Sequence, residues 1–279
     1  MQDSSKTLYI VATPIGNLSD ISKRAIEVLS EVDLILAEDT RHSKRLLEHI
    51  GSNVRLIALH DHNEKEKAEQ LLKEMEPAKS YALISDAGTP LISDPGYHLV
   101  NLAYSYGVKV SPVPGACAAI AALSCSGIAT NSFYFHGFLP ATNSSREKEL
   151  SLLQDNTSTL IFYEAPHRIL NSIHSMFSVL GNRQVSIARE ITKQYEQIVS
   201  CSLEEALEKL NNEVIPIKGE FVVIVSGNVE TKSIEEAELE KILTALLEEL
   251  PVKKAASVAS KITGINKNQL YTKALELKQ

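Results

Sequence analysis

No two glycines of this chain stand two positions apart, and neither the G-x-G-x-x-G dinucleotide fingerprint nor a P-loop occurs. Whatever nucleotide or cofactor the protein holds, the usual glycine-rich phosphate cradle does not hold it. Cysteine is scarce as well. Cys117, Cys125 and Cys201 form an odd, widely spaced set with no C-x-x-C pair, which argues against a disulfide framework or a thiolate zinc site and for a reduced cytoplasm. No apolar run approaches the length of a bilayer span, and the start Met1-Gln2-Asp3-Ser4-Ser5-Lys6 precedes only a short strand-like segment, so neither a membrane segment nor an export signal is read. Positive charge is not in excess: 35 acidic residues against 28 Lys and Arg leave a formal charge of −7, so any nucleic-acid role must rest on a local patch. His60 and His62 flank Asp61, but a spacing of two without a third ligand makes no metal site, and no metal is expected.

What is present is an ordinary globular composition, 44% hydrophobic and 23% charged over 279 residues, enough for one large or two medium domains. From Leu8 onward, short β-rich runs alternate with helical patterns, the rhythm of a mostly parallel sheet. The predicted strands are Leu8 to Thr13, Asp33 to Glu38, Val54 to His60, Tyr81 to Asp86 and Val108 to Val113, with amphipathic helices between them on both faces. A small-residue helix over Ala116 to Ser126 follows. A second half has strands at Phe133 to Leu139, Ser158 to Glu164, Val185 to Glu190, Glu196 to Cys201 and Glu220 to Val225. The brief connection Ile191 to Gln194 forces its two strands antiparallel, so this second sheet is mixed. Domain limits are placed at 1–116, 117–229 and 230–279. The last stretch is an acidic helix, from Glu230 and Glu235 to Glu249, followed by a basic helical pair from Lys253 to Lys278, broken at Gly264. It fits a helix-turn-helix module or a solvated oligomerising or capping hairpin.

Three loops at strand ends share one design. Thr13-Pro14-Ile15-Gly16-Asn17-Leu18 leaves the first strand, Ser85-Asp86-Ala87-Gly88-Thr89-Pro90 the fourth, and Pro112-Val113-Pro114-Gly115-Ala116-Cys117 the fifth. Proline stiffens each loop and glycine permits close approach. At the carboxyl rim of an open α/β sheet such loops hold ligands. In the fourth-strand loop, Asp86 to Thr89 are expected at the ligand, whereas Asp94, Pro95 and Gly96 start the next helix.

Taken in order, T-P-I-G-N-L, A-E-D-T-R, S-D-A-G-T-P-L-I-S-D-P-G, P-V-P-G-A, F-Y-E-A-P-H-R and A-R-E resemble the tetrapyrrole methylase superfamily, and within it the ribosomal RNA small subunit methyltransferase I branch. The resemblance spans residues about 8 to 227. It implies a two-domain class III methyltransferase of α/β fold, with a parallel doubly wound N-terminal sheet, a mixed C-terminal sheet and a short helical tail. It implies S-adenosylmethionine bound between the halves, 2′-O-methylation of a cytidine ribose in the decoding region of 16S ribosomal RNA, and a homodimer. Carried over by position, the cofactor meets Thr13, Pro14, Asp86, Ala87, Gly88, Thr89, Cys117 and Ala118, then Tyr163, Ala188, Gly219 and Glu220. The chain departs from the family's P-G-P-C pattern at Ala116, which affects loop rigidity and leaves the contact in place.

A ribose hydroxyl is a weak nucleophile until its proton is accepted, and Asp39, Glu164 and Glu190 are the carboxylates on the motif loops. Their alternative use is to cap helices or pair with Arg. Arg41, His42, Lys44 and Arg45, with His167, Arg168 and the Arg189 of A-R-E, are the basic residues placed to meet RNA, or else ordinary solvated helix charge. A methyltransferase for a tetrapyrrole and a non-catalytic RNA-binding assembly factor are the competing readings. The A-E-D-T-R and F-Y-E-A-P-H-R blocks with the basic tail speak against the first, and the intact loops against the second.

Overall fold

A computed structural model of the chain describes residues 6–60, 64–228, 236–263 and 265–277. The expectations for Asp61, His62, Glu230, Glu235, Gly264, Lys278 and the first five residues lie outside these. The chain falls into two compact units, Met1–Asn228 and Val229–Gln279.

The first unit opens with β1 (Thr7–Val11), α1 (Lys23–Glu31), β2 (Leu34–Ala37), α2 (Thr40–Ile50), β3 (Leu56–Ala58), α3 (Glu64–Glu74), β4 (Ser80–Ile84), α4 (Tyr97–Ser105) and β5 (Lys109–Val113). The five strands pair in the order β3-β2-β4-β1-β5, all parallel. β2 shows why. Its four residues are all buried: Leu34 and Leu36 pack with Leu72 and Leu99 on one face, and Ile35 and Ala37 with Leu29 and Leu47 on the other. A strand apolar on both faces needs helices on both, which only crossover connections supply. The helices are marked locally too. Ser22 caps α1 by accepting the Ala25 N–H at 3.1 Å, and α2 runs from an Asp39 cap to Gly51 in the left-handed conformation.

The chain continues through α5 (Ala118–Cys125), β6 (Phe133–Phe138), α6 (Asn143–Leu152), β7 (Thr159–Glu164), α7 (Ile169–Leu180), β8 (Gln184–Arg189), β9 (Gln197–Ser202), α8 (Leu203–Asn211) and β10 (Phe221–Val225). The second sheet has the order β6-β7-β10-β8-β9. β6 and β7 are parallel, and the other neighbours are antiparallel. One face carries α6, α7 and α8 over Leu160, Phe162, Ile187 and Val223. The other is covered by α5, whose Ala119 and Ala122 lie directly on Ile161, Val222 and Ile224. Small side chains are what let this helix sit close to the sheet.

The second unit consists of α9 (Glu236–Glu249), α10 (Val252–Thr263) and α11 (Lys267–Glu276). It has a core of its own from Leu239, Leu243, Ala256, Ala259, Leu270 and Ala274. No helix among the described residues is long and apolar enough to cross a membrane.

Candidate active site

In the first sheet β1 and β4 are neighbours, but β1 is followed by β2, on the far side of β4, and β4 by β5, on the far side of β1. The chain thus leaves these two strands in opposite directions, and their carboxyl-end loops part to leave a crevice. The loops are fastened to one another. Thr13 and Gly88 exchange backbone hydrogen bonds of 2.8 and 3.1 Å, the Thr89 hydroxyl donates to the Ala116 carbonyl at 2.9 Å, and the Asp39 N–H donates to Asp86 Oδ1 at 3.1 Å. Gly88 has φ of 87°, a value suited to glycine. Leu91 and Ser93 also lie in the left-handed region, at 71° and 69°, a strained backbone of the kind that clusters at ligand sites.

The crevice opens into a cavity of about 430 Å³. One wall is the loop after β4, with Asp86, Gly88, Ile92 and Asp94, and Ile15 from the loop after β1. The opposite wall is a row of register partners across the second sheet. Phe138 lies beside Tyr163, Tyr163 beside Val222 and Val222 beside Ala188, so all four point to one face, and the first three line the cavity. Tyr163 is fixed by edge contacts to Phe135 at 5.0 Å and Phe138 at 5.6 Å. Its hydroxyl accepts the Ala119 N–H at 3.2 Å, which uses one of the free groups at the start of α5. Burial, with Cys117 close by, pushes its phenol well above the usual range. The cavity is therefore mostly apolar, with the carboxylates of Asp86, Asp94 and Glu220 at its edge. Such walls fit a ligand that carries a positive charge and a flat apolar ring. A second cavity of about 250 Å³ adjoins it, lined by Thr13, Pro14, Leu18, Ser85 and Asp86 together with His42, Ser43, Arg45 and Leu46 of α2.

Of the residues put forward for the cofactor, Asp86, Ala87, Gly88, Thr89, Cys117, Ala118, Tyr163 and Glu220 line the larger cavity. Thr13 and Pro14 line the smaller one. Ala188 and Gly219 line neither. Ala188 is buried on this face in the cluster that α5 covers, and at Gly219 a Cβ would come within 2.4 Å of the Glu190 carboxylate. Asp94 was expected only to start the next helix, yet it lines the cavity together with Ser93, and Gly96 takes the cap position of α4.

The three carboxylates put forward as bases are all engaged. Asp39 accepts the Arg41 N–H at 2.8 Å and pairs with its guanidinium at 2.8 Å; those hydrogen bonds hold its carboxyl down to about 2. Glu164 is 2% exposed. It lines the larger cavity, but accepts from the Ala165 N–H at 2.9 Å and from the Ser172 hydroxyl, and pairs with Arg168 at 3.2 Å. Glu190 accepts from the Glu220 N–H at 3.0 Å and Lys193 Nζ at 2.9 Å.

Among the basic residues, His42 and Arg45 line the smaller cavity, whereas Arg41, His167, Arg168 and Arg189 line neither. His167 is exposed. Arg168 is held by Glu164 and the Leu139 carbonyl, and Arg189 donates to the carbonyls of Lys218 at 2.6 Å and Tyr195 at 2.9 Å. Ile15, Ile92, Phe138, Ala165, Pro166, Ile191, Phe221 and Val222 complete the larger cavity. Phe138 and Val222 were visible in sequence only as strand residues. Among the described residues no cluster of three or more His, Cys, Asp or Glu is placed to hold a metal ion.

The sequence model of the Tetrapyrrole (Corrin/Porphyrin) Methylases matches residues 7–207. The chain belongs to this family. A second model, described as the RsmI C-terminal HTH domain, matches residues 233–278. The chain is 50% identical to a ribosomal RNA small subunit methyltransferase I of Escherichia coli O157:H7, over 98% of this chain and 96% of that protein. It is 49% identical to the Pseudomonas aeruginosa protein of the same name, over 98% of each. Among solved structures, a diphthine synthase superposes with a TM-score of 0.59 over 80% of this chain and 90% of that one, at 14% identity. A uroporphyrin-III-C-methyltransferase from Thermus thermophilus gives 0.53 over 79% and 94%, at 15% identity. These structures share with this tetrapyrrole methylase family member its class III methyltransferase fold.

Proposed function

We propose that this protein methylates 16S ribosomal RNA within the small ribosomal subunit, at the 2′-oxygen of a cytidine ribose in the decoding region, with S-adenosylmethionine as donor. The observation that carries this reading is the 49–50% identity to small subunit methyltransferases I, which extends over 98% of the chain. The donor supplies a methyl group on a positively charged sulfur. Asp86 and Asp94 give the larger cavity the carboxylates that a sulfonium needs, and Ile15, Ile92, Phe138 and Val222 the apolar surroundings of an adenine. Methyl transfer is an in-line substitution, so alignment is the main contribution of the protein. The interlocked rim loops and the stacked Tyr163 wall supply rigid alignment from two sheets. Arg168 and Arg189 position loops, and Arg45 and His42, which line the smaller cavity, are placed to meet RNA. The reading places the work in the cytoplasm. It also includes a homodimer, favoured by Phe133 and Tyr134 standing exposed on edge strand β6.

The test is purified protein with methyl-labelled cofactor, offered assembled small subunits, naked 16S RNA and a reduced tetrapyrrole. Label is expected in subunits, and after nuclease digestion on a cytidine ribose. The acidic net charge predicts slower labelling of naked RNA. Label in the tetrapyrrole alone, or a protein that binds no cofactor, overturns the proposal.

A further inference from the structure

We infer that the smaller cavity is the seat of the acceptor nucleotide, with Arg45 and His42 on its phosphate, the Ser43 hydroxyl on its sugar, and Asp86 facing the reacting hydroxyl. The inference rests on the RNA-methylating reading and assigns to that reaction a pocket, and a residue, Ser43, that no motif singles out.

Four observations carry it. Asp86 is the residue common to the linings of both cavities, so a group bound in the smaller one meets the larger one across this carboxylate. The Asp39 N–H fixes the carboxylate through Oδ1. Second, Ser43 lines the smaller cavity, is 2% exposed, and its hydroxyl has no hydrogen-bond partner among the described residues. A helical serine ordinarily bonds back to the carbonyl four residues earlier. Here the Asp39 carbonyl accepts the Ser43 N–H at 3.0 Å as in any helix, but the hydroxyl does not add its own bond to that carbonyl and is left without a partner among the described residues. A buried polar atom in that condition asks for a ligand or a water.

Third, charges on the first turns of α2 are sorted by direction. Arg41 pairs with Asp39 at 2.8 Å and Lys44 with Glu48 at 3.8 Å, while the side chains of His42 and Arg45, which line the cavity, enter no ion pair among the described residues. On a chain of net charge −7 the Arg45 guanidinium is thus a local cation for phosphate, with the His42 imidazole on the same lining. Fourth, the larger cavity has the size of a small-molecule site, whereas 250 Å³ falls below the roughly 300 Å³ where such sites begin. It suits one unit of a longer ligand whose remainder stays outside. A ribose within an RNA strand supplies what the walls lack: its 2′-hydroxyl donates to Asp86, and its ring oxygen or its esterified 3′-oxygen accepts from Ser43. The ligand class is therefore a single ribonucleotide of an RNA strand.

The test uses full-length Ser43→Ala and Arg45→Ala, with Lys73→Ala as a charge-matched surface control. Cofactor affinity by calorimetry, melting temperature, and kcat and KM with small subunits are measured. Removing an unpaired buried hydroxyl leaves the free protein as stable as wild type or more so, so Ser43→Ala is expected to melt no lower and bind cofactor as wild type. Its KM for subunits should rise about fivefold, the loss of one hydrogen bond. Arg45→Ala should raise KM about tenfold through its lost phosphate contact, with the control unchanged. A Ser43→Ala protein that melts lower with KM unchanged overturns the inference while leaving the methylation reading intact. So does KM unchanged in Arg45→Ala. Wild-type protein that binds cofactor but neither binds nor methylates subunits overturns both readings.

Discussion

At the scale of single residues, the carboxylates divide by what already holds them. Asp39 looks in sequence like a base beside a basic cluster, yet Arg41 and the first N–H groups of α2 hold its carboxyl down to about 2. A group so weakly basic keeps little driving force to take a proton at neutral pH. Asp39→Asn keeps an oxygen at the cap while removing the charge. The variant is expected to melt close to wild type and retain roughly half or more of its methyl transfer, whereas Asp39→Ala, without a cap, melts lower. Both are read by thermal unfolding alongside the labelled-subunit assay. A hundredfold loss in the Asn variant alone would return Asp39 to the chemistry.

At the scale of elements, the turn between β8 and β9 and the entry to β10 form one device. Glu190 stands at φ 50° and Thr192 at 65°. Lys193 ties Glu190 at 2.9 Å to Glu220 at 2.8 Å, and Gly219 leaves the space that the Glu190 carboxylate fills. Burial opposes ionisation of Glu190, but the Lys193 hydrogen bond and the Glu220 N–H outweigh it, so its carboxyl lies below its ordinary value of 4.5. A carboxyl depressed in the folded state stabilises the protein above its unfolded value, and that stabilisation is lost as pH falls through the folded value. Melting temperature should therefore drop on the acid side of 4.5, and less steeply in Glu190→Gln. Gly219→Ala forces a Cβ onto this carboxylate at a positive φ of 83°. It should destabilise by about 2 kcal/mol and weaken cofactor binding, since Glu220, Phe221 and Val222 line the cavity. Melting curves from pH about 3 to 6 with calorimetry check both.

The elements themselves were legible. All ten strands lie within a few residues of their expected limits, with helices between them, because strands buried on both faces and amphipathic helices write different periods into sequence. The antiparallel β8–β9 pair followed from the shortness of its connection. The loop after β4 was legible from its Gly and Pro as a rim loop, and it lines the larger cavity. The far wall was not, since Phe138, Tyr163 and Val222 are neighbours only through the register of strands distant in the chain. Nor was the division of labour among charges. That Arg189 braces two carbonyls, and that Thr13 faces the smaller cavity, depend on side-chain direction, which spacing alone does not carry.

At the scale of the whole molecule, the two cavities and the basic helices lie in different units. Every residue lining either cavity lies between Thr13 and Val222, inside the first unit, which has its own cores on both sheets. The second unit closes its own small core and carries Lys253, Lys254, Lys261, Lys267 and Lys273 on α10 and α11. A chain ending at Asn228 should therefore fold and bind S-adenosylmethionine within about twofold of the full protein, because no lining residue is removed. If the tail grips ribosomal RNA, the same chain methylates small subunits far more slowly. The loss appears in KM, and the dependence of KM on salt becomes shallower, since each phosphate contact removed takes with it the release of counterions. If the tail instead serves a partner copy, truncation lowers the mass seen in sedimentation and leaves the salt dependence per active protein unchanged. Calorimetry, a salt series of subunit methylation and sedimentation on the same truncated chain separate the two, and unchanged behaviour in all three would leave the basic helices without a role in either.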